Sequence, residues 1–178
     1  MKKTKTIPML LVVSLMLSVL CFTPTKAYAV TDDKDEIVVY YSEEDMPTMQ
    51  NNAGSKVIDE SFRGASAPIY FYDLSLSSYH YSFSEVINFT FTQYYFKPSS
   101  TGWLTLSMNN WDSGGDDVRI EVFRKTIFGL DELVHVWTGN PELYSGIGFP
   151  SLDPDKNYYF KFMAYHADSV SGTGYIYQ

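Results

Sequence analysis

Apolar and polar side chains alternate along the chain from Pro68 onward, and short groups of turn residues interrupt the alternation. Successive side chains of a β-strand point to opposite faces of its sheet, so this pattern predicts strands. We predict about eight strands, at residues 37–41, 69–72, 89–95, 103–108, 118–124, 133–137, 158–165 and 172–177.

No part of the chain combines helical periodicity with capping residues. Many short strands joined by Gly- and Asp-rich turns favour an all-β antiparallel β-sandwich over a closed barrel. The turn at residues 98–102 predicts a β-hairpin between the strands at 89–95 and 103–108. In the strand at 118–124, Val118 and Ile120 are expected in the core, and Glu121 is expected in water.

The segment before this region has a different texture. Residues 30–67 contain an acidic stretch, one apolar run at 37–41 and a long polar remainder, which we interpret as a short strand followed by an acidic polar loop. Residues 68–178 are expected to form the β-sandwich, as one domain with the preceding segment, because about 150 residues suffice for a single ordinary core.

The first 29 residues have the pattern of an export signal. A cationic start is followed by an apolar stretch and by Ala27-Tyr28-Ala29, which supplies small residues at the two positions that a signal peptidase reads. We predict cleavage after Ala29, and Cys21, the one cysteine, would then be removed. A mature chain without thiols has no disulfide and no thiolate metal site. The prediction is a secreted, extracellular protein of a Gram-positive bacterium.

The chain is acidic, with 13 Lys and Arg against 21 Asp and Glu. Its net charge of −8 becomes −12 after leader removal, because the leader holds four lysines and no acid. This balance disfavours a nucleic acid partner, whose phosphates attract basic proteins. It also disfavours attachment of the mature chain to an anionic membrane.

No catalytic constellation is visible in the sequence. His80, His135 and His166 are too far apart for a zinc motif, and no Gly-x-Ser-x-Gly motif is present. The predicted role is therefore not enzymatic. A small hydrolase whose site is assembled from loops is the less favoured alternative.

Aromatic side chains offer a carbohydrate-binding hypothesis. Trp111 stands beside Asn109 and Asn110 at a predicted strand end, and Trp103 is the next candidate. A ring stacked on a sugar face, with amides nearby, is suited to a glycan. The alternative is that these rings pack in the core or cover an edge, as most rings in a sandwich do.

Calcium is the cofactor hypothesis. Asp112, Asp116 and Asp117 place three carboxylates within six residues, and calcium accepts oxygen ligands from a flexible loop. Asp and Gly are also the ordinary residues of turns, so turn formation alone explains the same cluster.

Several stretches resemble the bacterial pre-peptidase C-terminal domain, a small jelly-roll-like sandwich found on secreted peptidases. The resemblance covers about residues 69–178 and lies in 95–98, 102–107, 115–122, 152–162 and 171–172. It implies a jelly-roll-like sandwich that acts as an exported binding or stabilising module, sometimes with calcium, and it implies no catalytic residue.

These observations predict a secreted, non-catalytic binding or surface-associated module, with carbohydrate as the sharpest ligand hypothesis. The alternative of a different class is an extracellular protein-interaction or structural module, such as an exported partner or inhibitor.

Overall fold

Twelve β-strands lie within the residues that the computed structural model describes, which are 36–48, 66–127 and 129–178. The predicted leader, with Cys21 and the cleavage site after Ala29, lies outside these residues. The strands are β1 (Val38–Tyr40), β2 (Tyr70–Phe71), β3 (Tyr79–Val86), β4 (Phe89–Phe91), β5 (Tyr94–Tyr95), β6 (Leu104–Ser107), β7 (Asn109–Asp112), β8 (Val118–Arg124), β9 (Glu132–Gly139), β10 (Gly146–Phe149), β11 (Tyr158–Met163) and β12 (Val170–Tyr177).

Two antiparallel sheets form the body of the fold, as the sequence predicted. The larger has the order β1-β10-β6-β12-β3, with β7 also paired to β12, and the smaller has the order β4-β11-β8-β9. Eight of these strands pair in a nested way: β3 with β12, β4 with β11, β6 with β10 and β8 with β9. Nested pairs shared between two sheets are the arrangement of a jelly roll, so this expectation is confirmed.

The core fills the space between the two sheets. Alternate residues of β11 and β8 point inward, because the side chains of a strand alternate between its faces. Phe160 and Phe162 of β11 meet Phe149 and Tyr81 of the other sheet at ring-centroid distances of 5.4 Å. The fully buried side chains include Tyr81, Tyr158, Phe96, Phe149, Phe160, Phe162, Leu104, Leu106, Ile120, Ile147, Ile176 and Val118.

The outer face of the smaller sheet differs from the prediction at one residue. Glu121 was expected in water, yet it is only 6% exposed. Its two carboxylate oxygens accept hydrogen bonds from Arg119 Nε at 2.8 Å and from Lys161 Nζ at 3.1 Å. The long neighbouring side chains cover the carboxylate while their charges compensate it, which a pattern of alternating polarity does not reveal.

Three strands were missed and one connection was wrong. β3, β7 and β10 were not predicted, although Tyr79, Tyr81 and Phe83 of β3 alternate with polar residues and are all buried. The expected hairpin at residues 98–102 does not form, because β6 pairs with β10 and β12 instead. The turn instead connects β5, which pairs in parallel with β2, to β6 of the larger sheet.

Two short 3-10 helices, Glu43–Asp45 and Pro141–Leu143, connect strands. Among the described residues, no helix has the length and apolar character needed to cross a membrane.

Candidate functional site

Trp111, the leading candidate for sugar stacking, is a core residue. It is 7% exposed and packs edge-on against Phe83 and Phe162, at centroid distances of 5.1 and 5.7 Å. Its indole N–H donates a hydrogen bond to the Tyr81 hydroxyl at 3.0 Å. Neither face of the ring is available to a ligand, so the core-packing interpretation of Trp111 is the one that the structure supports.

Trp103 lies on the opposite face of the same sheet. Ile147 and Phe149 of β10 point into the core, so Gly148 between them faces outward, and a Cβ on Gly148 would lie 2.9 Å from the Trp103 ring. The half-buried ring thus covers the bare backbone of β10 beside Tyr40. Trp103 and Trp111 do not share a binding face.

The two asparagines lie on β7, away from an exposed aromatic face. Asn109 is half-buried opposite Thr173 of β12, and Asn110 is exposed, with a φ of 49° where the β7–β12 ladder is irregular. Their neighbour Trp111 points into the core. The predicted cluster of Trp111 with two amides is therefore split between the interior and the surface.

The carboxylate of Glu142 organises the Asp112–Asp117 loop. Glu142 Oε1 accepts hydrogen bonds from the backbone N–H groups of Ser113 and Gly115, each at 3.0 Å. Consecutive backbone N–H groups that converge in a turn attract negative charge. These bonds hold the pKa of Glu142 below its ordinary value.

The three predicted calcium ligands are not gathered into a cation site. Asp112 Oδ1 accepts the Gly114 N–H at 3.1 Å, and Asp117 Oδ2 lies 3.8 Å from Nδ1 of His166. Across the described part of the chain, no three Asp, Glu, His or Cys side chains are placed so that they hold a metal ion. Turn formation accounts for the hydrogen bonds of this loop.

An aromatic groove lies elsewhere, between β2, β4 and β5. It is a cavity of about 370 Å³. Tyr70, Phe91 and Tyr94 supply its rings, and Tyr70 and Ile69 are 65% and 71% exposed. The groove is lined by Ser66, Ala67, Pro68, Ile69, Tyr70, Phe91, Thr92, Gln93 and Tyr94.

Local structure fixes the rings of the groove. β2 and β5 pair in parallel with Tyr70 opposite Tyr94, and their ring centroids are 6.4 Å apart. Tyr94 also packs against Tyr72 and Tyr79, at centroid distances of 5.7 and 5.4 Å. The ring of Tyr94 is therefore supported from behind, while Tyr70 projects toward solvent.

Backbone contacts hold the two ends of the groove. Thr92 Oγ1 donates to the Tyr94 carbonyl at 2.9 Å and accepts the Phe160 N–H at 3.2 Å, which joins the β4–β5 turn to β11. Lys125 Nζ donates to the Pro68 carbonyl at 2.9 Å and fixes the entry to β2. The groove is thus tied to the smaller sheet at two points.

Polar groups inside the groove remain available. The hydroxyls of Tyr70 and Tyr94 and the amide of Gln93 have no hydrogen-bond partner among the residues that the structure describes. None of the nine lining residues named above is charged. The groove therefore combines aromatic faces with neutral donors and acceptors.

A second cavity of about 370 Å³ brings together a serine, a histidine and an aspartate, namely Ser151, His135 and Asp153. Its hydrogen bonds are structural: His135 Nε2 lies 2.9 Å from the Pro150 carbonyl oxygen, and Asp153 Oδ1 accepts the Asp155 N–H at 2.9 Å. Catalysis by a triad requires a carboxylate that orients the histidine, and here each of these two side chains contacts the backbone.

Comparison of the chain with protein-family models, with curated proteins and with solved structures gives no match. The resemblance to the pre-peptidase C-terminal domain stays a prediction.

Sequence reasoning missed the residues of the aromatic groove, although a signal was present. Residues 69–72 are four consecutive apolar or aromatic residues, and a strand directs neighbouring side chains to opposite faces. In a strand this short both faces can be left exposed, and Tyr70 and Phe71 of β2 are indeed 65% and 44% exposed. Tyr70 is such a ring, and its partner Tyr94 lies in a similar pair of tyrosines.

Proposed function

We propose that this protein is a secreted, non-catalytic module that binds a neutral carbohydrate in the aromatic groove. The observation that carries the proposal is the pairing of an exposed ring, Tyr70, with a supported ring, Tyr94, in a cavity whose hydroxyls and amide have no partner among the described residues. Ligand sites are concave and mainly apolar, with a few polar groups that fix orientation. A sugar presents an apolar C–H face and a hydroxylated rim, which complement these two features.

The absence of charge among the described lining residues selects the kind of sugar. A uronic acid or a sulfated sugar would lose hydration of its charge in the groove without gaining a cationic partner. A neutral hexose or a neutral oligosaccharide avoids this cost. The export-signal pattern of residues 1–29 and the thiol-free remainder support a role outside the cell.

The test is a glycan-binding measurement on the full chain and on Tyr70→Ala. We expect micromolar or weaker binding to neutral glycans and at least a roughly tenfold loss in the variant, since truncating a central aromatic contact commonly costs more than about 1 kcal/mol. Tyr41→Ala is the matched control, because Tyr41 is 69% exposed and does not line the groove. It should bind as the unchanged chain does.

A second variant, Gln93→Ala, separates specific recognition from nonspecific hydrophobic contact with the rings. It leaves all three rings in place and removes the free amide, so it should weaken binding and reduce discrimination among glycans. The proposal fails if no neutral glycan binds, or if Tyr41→Ala weakens binding as much as Tyr70→Ala does.

A further inference from the structure

β9 is a long strand at the edge of the smaller sheet as the structure describes it. β9 pairs with β8 on one side only, and within the described chain its backbone makes no other hydrogen bond. Exposed edges offer free N–H and C=O groups to another strand. Proteins commonly protect such edges with lysine or proline, and neither residue occurs in β9.

Exposed apolar side chains concentrate around this edge. Of the fourteen large hydrophobic side chains that are exposed in the described chain, five lie between residues 127 and 143. Leu133 and Val136, on β9, are 43% and 37% exposed. Ile127 and Leu130 precede β9 and are 95% and 83% exposed, and Leu143 follows it at 62%. Exposed apolar side chains do not stabilise a monomer in water, and a cluster of them marks an interaction surface.

The acidic side chains of the same segment already have hydrogen-bond or ion-pair partners within the chain. Asp131 accepts hydrogen bonds from the Thr126 N–H at 2.8 Å and from the Tyr159 hydroxyl at 3.0 Å. Glu132 pairs with Arg124, and Glu142 occupies the loop at Ser113. The remainder of β9, from Leu133 to Gly139, has no acidic or basic residue other than His135. In a chain with a net charge of −8, this segment can approach a second copy without meeting unpaired carboxylates.

The segment is also complementary to itself. When β9 pairs antiparallel with β9 of a second copy around a two-fold axis near Val136, the two Val136 side chains become neighbours on one face. The start of each β9, with Ile127 and Leu130, then lies beside the end of the other, with Leu143. Both apolar ends are covered at once, as an isologous interface requires.

We propose that β9 is the contact surface of a homodimer, in which two copies join their smaller sheets edge to edge. The backbone pairing is centred on Val136, where His135 of one copy lies opposite Trp137 of the other, and this part of β9 lies beyond the β-bulge between Leu133 and His135. The proposal is independent of the aromatic groove.

The test is the molar mass of the full chain in solution, measured by light scattering after gel filtration. The unchanged chain should have the mass of two chains, and Val136→Lys should have the mass of one, since a charge at an edge opposes strand pairing. The new ammonium group would face Glu121 across the β8–β9 ladder, so the monomer fold tolerates it. Val38→Lys is the matched control, because Val38 is 38% exposed on the edge strand β1 of the other sheet. It should remain a dimer.

A second measurement needs no variant. Hydrogen exchange of β9 should slow as the protein concentration rises, whereas exchange of β1 should not change. A single-chain mass at high micromolar concentration overturns the proposal. So does a dimer that persists in folded Val136→Lys, which would place the contact outside β9.

Discussion

A buried chain of hydrogen bonds joins β7, β3 and β6 of the larger sheet. Trp111 donates to the Tyr81 hydroxyl, and Tyr81 in turn donates to the Ser107 carbonyl. Burial raises the pKa of Tyr81, so its hydroxyl stays protonated and able to donate. Tyrosine is apt here because one hydroxyl accepts and donates at the same time.

Tyr81→Phe should therefore destabilise the protein by about 1–3 kcal/mol, since it leaves a buried N–H and a buried carbonyl without partners. Urea unfolding measures this loss. Tyr72→Phe is the control, because the Tyr72 hydroxyl contacts Ser77 in a half-buried position. A loss no larger in Tyr81→Phe than in the control would contradict the assignment.

Glu142 gives the fold a dependence on pH. Its pKa is lowered in the folded state by the N–H groups of Ser113 and Gly115, relative to an ordinary value of 4.5. A group with a depressed folded pKa stabilises the native state above its unfolded pKa, and this stabilisation is lost as the pH falls through the folded pKa.

We expect Glu142→Gln to be less stable than the unchanged chain at pH 7, by no more than about 1 kcal/mol because the carboxylate is exposed to solvent. Between pH 4.5 and more acidic values, the difference should shrink toward zero. Thermal unfolding over this range measures the effect. A difference that does not depend on pH would contradict it.

Two positions of β12, Gly172 and Gly174, are so close to neighbouring residues that a side chain does not fit. A Cβ on Gly172 would lie 2.8 Å from two atoms of the Trp111 ring, and one on Gly174 would lie 2.1 Å from the Ser107 carbonyl oxygen. These glycines are required by close approach rather than by backbone conformation. They let large rings lie flat against the sheet.

Gly172→Ala should destabilise the protein by about 1–3 kcal/mol, as overpacking of a filled core does. Trp111 cannot move away, because Phe83, Phe162 and Tyr81 hold it. In the Trp111→Phe background the same substitution should cost less. Denaturant unfolding of the four proteins gives the coupling, and costs that simply add would show that the two residues do not interact.

The alternation of apolar and polar residues revealed β8, and it also revealed β6, although all four residues of β6 are buried. Alternation was not sufficient for β3, which was missed although its buried rings alternate with polar residues. β10 was missed because two of its four residues are glycines, which are uncommon in strands. Its glycines are explained by Trp103 and Met46, which are distant in sequence.

At the level of the molecule, the fold class was predictable, whereas the site was not. Alternation and turns are local properties, and they favour an antiparallel sandwich. Whether a ring is a ligand contact depends on which strand covers it: Trp111 is buried by β12 and β11, whereas Tyr70 stays open because the β2–β5 ribbon is only two residues long in each strand. The strands that cover a ring are distant from it in sequence, so the residues next to the ring do not show whether it is buried.

The nested order of the strands also governs when the molecule can assemble. β12 lies between β3 and β6 in the larger sheet, so that sheet has no continuous hydrogen-bond network until residues 170–177 have been synthesised. Folds dominated by such distant pairings acquire their native structure slowly, in milliseconds to seconds. A ribosome-bound or translocating chain of this topology remains unfolded until its last strand is free, and its many rings then need protection from aggregation during the interval.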